Sequence, residues 1–140
     1  MDNSWNVNEH VVNIEVYEYM KMQNKTIECD ICKKEFSIED IEFYKKRVTY
    51  KKEKLELFYF KCPGCGRAYP ISIDTKETLE LKEKYSEISK RIERMQQNKE
   101  LYNSSVFSRA NVILEKIKRK DKYLKDKYSL SFQMLATLNN

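Results

Sequence analysis

The chain has 140 residues, 41% hydrophobic and 35% charged, with a formal net charge of +5. That length holds one domain or a small module with an extension, and no stretch approaches the about 20 apolar residues that a membrane-spanning helix needs. With only 2 Gly and 2 Pro, tight turns are scarce, so long helices and simple hairpins must account for much of the chain.

Residues 1–26 form an N-terminal segment with β-branched alternation at Val12, Ile14 and Val16. The alternation predicts a strand added to a neighbouring sheet. A helix with Val12, Val16, Tyr19 and Met20 on one face fits the same residues. Met1 to Asn13 lack the basic start and apolar run of a secretory leader. Together with reduced cysteines, this gives cytoplasmic localisation as the expectation.

The next segment, 27–73, carries all four cysteines, in two matched pairs: Cys29-Asp30-Ile31-Cys32 and Cys62-Pro63-Gly64-Cys65-Gly66. A two-residue gap lets both thiolates of a pair turn toward one ion, and two such pairs complete a tetrahedral sulfur shell. Pro63 pre-sets the second turn, and Gly66 supplies permissive backbone where the chain curls under the sulfur. The expectation is a zinc ribbon holding one structural Zn2+ on Cys29, Cys32, Cys62 and Cys65. Three other readings share the residues: a rubredoxin-type iron site, a disulfide framework, and a redox pair. Four sulfur ligands leave zinc no open position, so such a site stabilises a fold and does no chemistry.

Between Cys32 and Cys62 lie 29 residues, more than the usual finger loop of about 15–20. They read as a hairpin: a strand from Ile41 to Tyr50, a polar turn at Lys51-Lys52-Glu53-Lys54, and a returning strand, Leu55 to Phe60. A third strand follows in Arg67 to Ile73, where Pro70 places it on a sheet edge.

At Asp74 the apolar period changes from 2 to about 3.6. Asp74 is a candidate N-cap with Glu77 at capping-box spacing. Leu81, Tyr85, Ile88, Ile92 and Met95 then recur in steps of 4, 3, 4 and 3, a heptad seam. After a break near Asn98 or Asn103, a second stripe runs Val106, Ala110, Ile113, Ile117 and Leu124, with Lys120 taking one step. Residues 74–128 are therefore expected to form a helical hairpin or coiled-coil arm. A helix over about 75–100 would be roughly 38 Å long, longer than a ribbon, so its seam needs cover from the other helix, a second copy or a protein partner. The apolar tail, 129–140, is expected to cover the helical hairpin, with a short docking peptide as the other reading of the same residues. The fold class is thus α+β: an N-terminal four-cysteine zinc ribbon with a small antiparallel sheet, then the helical arm.

Two basic clusters interleave with tyrosines. One is Lys45, Lys46, Arg47, Lys51, Lys52 and Lys54, with Tyr44 and Tyr50. The other includes Lys116, Lys118, Arg119, Lys120, Lys122, Lys125 and Lys127, with Tyr123 and Tyr128. Cations beside aromatic platforms suit phosphate contact and base stacking, so Lys45, Lys46, Arg47, Lys51, Lys52, Lys54, Lys118, Arg119 and Lys122 are candidate nucleic-acid contacts. The opposing reading is a solvated face of a protein in which lysine makes up 21 of 27 basic residues. Catalysis finds little support: the single histidine, His10, sits in the N-terminal segment, no serine has a recognisable nucleophile context, and no Gly-rich phosphate loop is present. No small-molecule substrate and no membrane partner is evident.

Across roughly 27–128, the segment Ile27 to Cys32, the segment Phe58 to Gly66 and the helices after Asp74 resemble small zinc-ribbon proteins encoded by phages and prophages of low-GC Gram-positive bacteria. The resemblance implies a phage accessory protein acting on host machinery or in particle assembly. The resulting expectation is a non-enzymatic adaptor that binds a host or defence protein, or another copy, through Leu81, Tyr85, Ile88, Ile92, Met95, Val106, Ile113 and Ile117. The alternative is a nucleic-acid-binding ribbon in transcription regulation.

Overall fold

The computed structural model describes residues 4–12, 26–37, 40–97 and 104–138. Strands β1 (Val7–Val12), β2 (Thr26–Glu28), β3 (Glu35–Ser37), β4 (Phe43–Tyr50), β5 (Glu53–Lys61) and β6 (Ala68–Thr75) precede helices α1 (Lys76–Gln97), α2 (Ser104–Tyr128) and α3 (Phe132–Thr137). The architecture is α+β, with a small antiparallel sheet and a helical C-terminal part.

β4 and β5 pair in unbroken register from Phe43 opposite Phe60 to Tyr50 opposite Glu53. Only Lys51 and Lys52 remain in the turn, both at positive φ, 48° and 66°. This is the backbone of a two-residue hairpin turn that favours Asn-Gly. Glu53 and Lys54, expected in the turn, belong to β5, because Glu53 closes the ladder. β1 adds to the free edge of β4 and β6 to that of β5, giving the order β1-β4-β5-β6. The strand that joins this sheet, Val7–Val12, precedes the expected alternation and shares only Val12 with it; Ile14, Val16, Tyr19 and Met20 lie outside the described residues. Pro70 sits on edge strand β6, beside a register shift where Phe58 opposes Ser72 and Tyr59 opposes Pro70. β2 and β3 form a separate two-stranded sheet around the first cysteine pair.

Directly opposed residues share a face, so the β4–β5 ladder sorts the core into two. On one face Val48, Leu55, Leu57, Tyr59 and Ile73 are buried against Leu124, Tyr128, Phe132, Leu135 and Ala136 of α2 and α3. On the other, Phe43 and Phe60 are buried with Cys29, Phe36, Ile41 and Cys62. The tail helix α3 covers the sheet, with Phe132 edge-on to Tyr59 at 5.8 Å; the expectation that the tail covers the helical hairpin is corrected accordingly.

α1 starts one residue later than expected. Thr75 and Thr78 cap each other reciprocally: the Thr78 amide donates to Thr75 Oγ1 at 3.2 Å, and the Thr75 amide to Thr78 Oγ1 at 2.8 Å. Asp74 is instead a buried acceptor for the Thr78 hydroxyl at 2.8 Å and for Lys82 Nζ at 2.7 Å. Lys82 also reaches Asp121 at 3.3 Å, and Lys120 reaches Glu77 at 2.8 Å. The start of α1 therefore lies beside the end of α2, and the two helices run antiparallel. Val106, Ala110 and Ile117 are buried yet belong to neither sheet core, so the hairpin continues beyond the sheet. No described helix is long and apolar enough to cross a membrane.

Candidate metal centre

Each cysteine pair is held in a loop closed by the same two hydrogen bonds. In the first, the Cys29 amide donates to Lys34 O at 3.0 Å and the Lys33 amide to Cys29 O at 2.9 Å. In the second, the Cys62 amide donates to Arg67 O and the Gly66 amide to Cys62 O, both at 2.9 Å. The fourth residue after the leading cysteine has positive φ in both loops, 64° at Lys33 and 79° at Gly66. β5 delivers Cys62 directly, while β2 and β3 flank Cys29.

The loops bring Cys29 Sγ to 3.6 Å from Cys65 Sγ, and Cys32 Sγ to 3.6 Å from Cys62 Sγ. All four Sγ atoms lie within 4.8 Å of one another, and all four are free of disulfides. Tetrahedral coordination at a metal–sulfur distance of 2.3 Å requires sulfur–sulfur separations of about 3.8 Å, so the cluster fits a single ion. Cys29 and Cys62 are buried, while Cys32 and Cys65 face outward.

The electrostatics point the same way. The Cys32 amide, then the Tyr69 hydroxyl, push the Cys29 thiol down to about 6. The Cys65 and Gly64 amides hold Cys62 below its ordinary value, with the Gly64 amide 3.3 Å from its sulfur. At Cys65 the Arg67 amide has the opposite effect to burial and three neighbouring sulfurs, which together push it up to about 11. Four adjacent thiols resist ionising together, and a bound cation removes that conflict.

The sequence reading missed the residues around the ligands. The Tyr69 hydroxyl lies 3.1 Å from Cys29 Sγ and 2.5 Å from Asp30 Oδ1, and Arg67 Nε lies 3.7 Å from Asp30. Hydrogen bonds of this kind orient ligands and tune their basicity. The signal was the strand register: Tyr69 stands opposite Phe60, two residues before Cys62.

The first basic cluster does not stay together. Lys46 is only 4% exposed; its ammonium donates to the carbonyls of Ala136, at 3.0 Å, and Leu138, closing the end of α3 onto the sheet. It is therefore unavailable to a nucleic acid, a correction to its expected role. Burial lowers its pKa, opposed by Glu9. Lys45 and Arg47 point to the opposite face and both pair with Glu56, at 3.7 and 2.9 Å, and Arg47 also lies over the Trp5 ring at 4.3 Å. Lys51, Lys52 and Lys54 remain exposed. On α2, Lys118 pairs with Glu115 at 3.8 Å, while Arg119 and Lys122 are exposed. Along the arm, Leu81, Tyr85, Ile88, Ile92, Met95 and Ile113 are half-buried, and Val106 and Ile117 are buried.

A cavity of about 650 Å³ opens between β1, β5 and α3, with Glu9, Lys46, Lys61 and Gln133 in its wall. Its charges are already matched: Glu9 accepts from Lys61 at 2.5 Å and from the Tyr59 hydroxyl. His10 lies outside it, exposed, with Nδ1 3.1 Å from Asn8 O.

No protein-family model matches the chain, and no curated protein or solved structure matches it.

Proposed function

We propose that this protein is a non-enzymatic adaptor: a zinc-stabilised head that carries a two-helix arm for binding a protein partner or a second copy of itself. The observation that carries the reading is the state of α1. Its whole apolar stripe, Leu81, Tyr85, Ile88, Ile92 and Met95, is only half-buried although α2 packs along it, and Thr78 is the one described α1 residue that is buried. A two-helix layer covers one side of such a stripe and leaves the other for a further layer. Zinc is the proposed ion because four thiolates at tetrahedral spacing are its usual structural shell; elemental analysis of the purified chain should give one zinc, and iron would replace that assignment. A host or defence protein as target rests on the resemblance to phage-encoded ribbon proteins alone.

The test is Ile88→Glu with Ile113→Glu, read by light scattering and by pull-down in the presence of nuclease. The expected outcome is loss of the complex with helicity and zinc content unchanged. Retained assembly would remove the seam from the reading. A second reading, nucleic-acid binding in transcription regulation, is supported by the exposed cations of α2.

A further inference from the structure

We propose that the β4–β5 turn and one face of α2 form a single continuous nucleic-acid-binding surface, an inference that rests on the second reading above and gives it a place on the molecule. The two basic clusters are more than 60 residues apart in sequence, but Glu53 joins them. Its carboxylate takes Lys127 Nζ at 2.9 Å and the Tyr128 hydroxyl, and the Tyr50 and Tyr128 rings meet edge-on at 6.3 Å. The turn is therefore docked on the C-terminal end of α2.

From that junction a stripe climbs the helix. Lys127, Tyr123, Arg119 and Lys116 follow in steps of 4, 4 and 3, which places them on one face over about 17 Å. Lys127 Nζ stands over the Tyr123 ring at 5.7 Å, and Tyr123 is 61% exposed. Lys51, Lys52, Lys116 and Arg119 are exposed and make no ion pair among the described residues. A row of unneutralised cations around one exposed ring suits a phosphate backbone with a stacking base.

The turn supplies an independent observation. Both central residues have the left-handed backbone that Asn-Gly adopts most readily, yet both are lysine. Local choices that oppose the fold are found at functional or strained positions, and here both fall on the cations that would meet the phosphates.

The test is fluorescence anisotropy on the full chain with a labelled single strand and a labelled duplex of mixed sequence, across a salt series. Phosphate contacts from these four cations, Lys51, Lys52, Lys116 and Arg119, predict that duplex affinity falls about 150-fold between 50 and 200 mM salt. The variant K51N/K52G should raise the melting temperature, because it suits the turn, while weakening binding and making the salt slope shallower by about 1.8. K116A/R119A should do the same to the slope without touching the turn. Tyr123→Ala should weaken the single strand more than the duplex, and absence of that difference would overturn the stacking role given to this ring. Absence of binding at 50 mM salt, unchanged affinity in both double variants, or equal binding of polyglutamate would overturn the proposal. Ile88→Glu alone lies on α1 and adds no charge beside Lys116 or Arg119, so with that variant failure of the adaptor reading and failure of this one are separable.

Discussion

The two cysteine loops reach one backbone shape by different means. The loop at Cys62 grows from β5, which is paired on both sides by β4 and β6. Its turn residues suit the shape: Gly66, at φ 79°, has open space where a Cβ would stand, and at Gly64 a Cβ would sit 2.9 Å from Lys34 Cδ and 3.2 Å from Cys32 Sγ. The loop at Cys29 hangs between two three-residue strands. It places Lys33 where the other has Gly66, and Ile31, 61% exposed, where the other has Gly64. The Cys62 loop is therefore expected to keep its shape without an ion, and the Cys29 loop to depend on one. Two halves of one site can divide the labour in this way because only one of them has to be preorganised.

Removing the metal is the strongest way to break this comparison. Structural zinc sites contribute about 10–16 kcal/mol in small peptides, against a whole-domain stability of about 5–15 kcal/mol. With a chelator, amide signals of residues 26–37 should lose their dispersion, while Leu55, Leu57 and Tyr59, in the core closed by α2 and α3, keep theirs. Simultaneous loss of both sets would show that the sheet has no stability apart from the ion. A smaller effect sharpens the same contrast. Tyr69→Phe removes the hydroxyl beside Cys29 Sγ and Asp30 and leaves the Cys62 loop unaltered, so metal affinity should fall about 10–100-fold in a competition titration. Unchanged affinity would mean that the Cys29 loop needs no support from β6.

How far the amino-acid sequence anticipates this molecule depends on whether the signal is local. The cysteine spacing, the alternation along 43–61 and the 3.6-residue period after Asp74 are local, and the cysteine cluster, β4, β5 and α1 follow them. What was missed depends on pairing between distant segments. Lys46 looks like its neighbours Lys45 and Arg47, but strand alternation turns it to the opposite face, under α3, 90 residues away in sequence. Tyr69 and Asp30 meet only because β6 pairs with β5. The cap at Thr75 rather than Asp74 was also hidden, since Thr78 serves as the reciprocal partner in a place where Glu or Gln is the usual signature. The docking of the β4–β5 turn on α2 likewise needed Glu53 to be in the strand.

The finest test alters the two cysteine-loop residues at positive φ, Lys33 and Gly66. Gly66→Ala should destabilise the folded, metal-loaded chain by about 1–2 kcal/mol, the cost of a side chain in left-handed backbone, since the space around it is open and no clash adds to that cost. Lys33→Gly should act in the opposite direction by less. Relief of the same strain is offset by the extra freedom that glycine has in the unfolded chain, about 0.5–1 kcal/mol, so the net gain should be about 0.5–1 kcal/mol. Both are read from denaturant midpoints at saturating zinc. If each loop is as described, the gain at Lys33 should shrink when the metal is removed, because the Cys29 loop then has no fixed shape to be strained, whereas the cost at Gly66 should persist, because β5 and β6 still impose that turn.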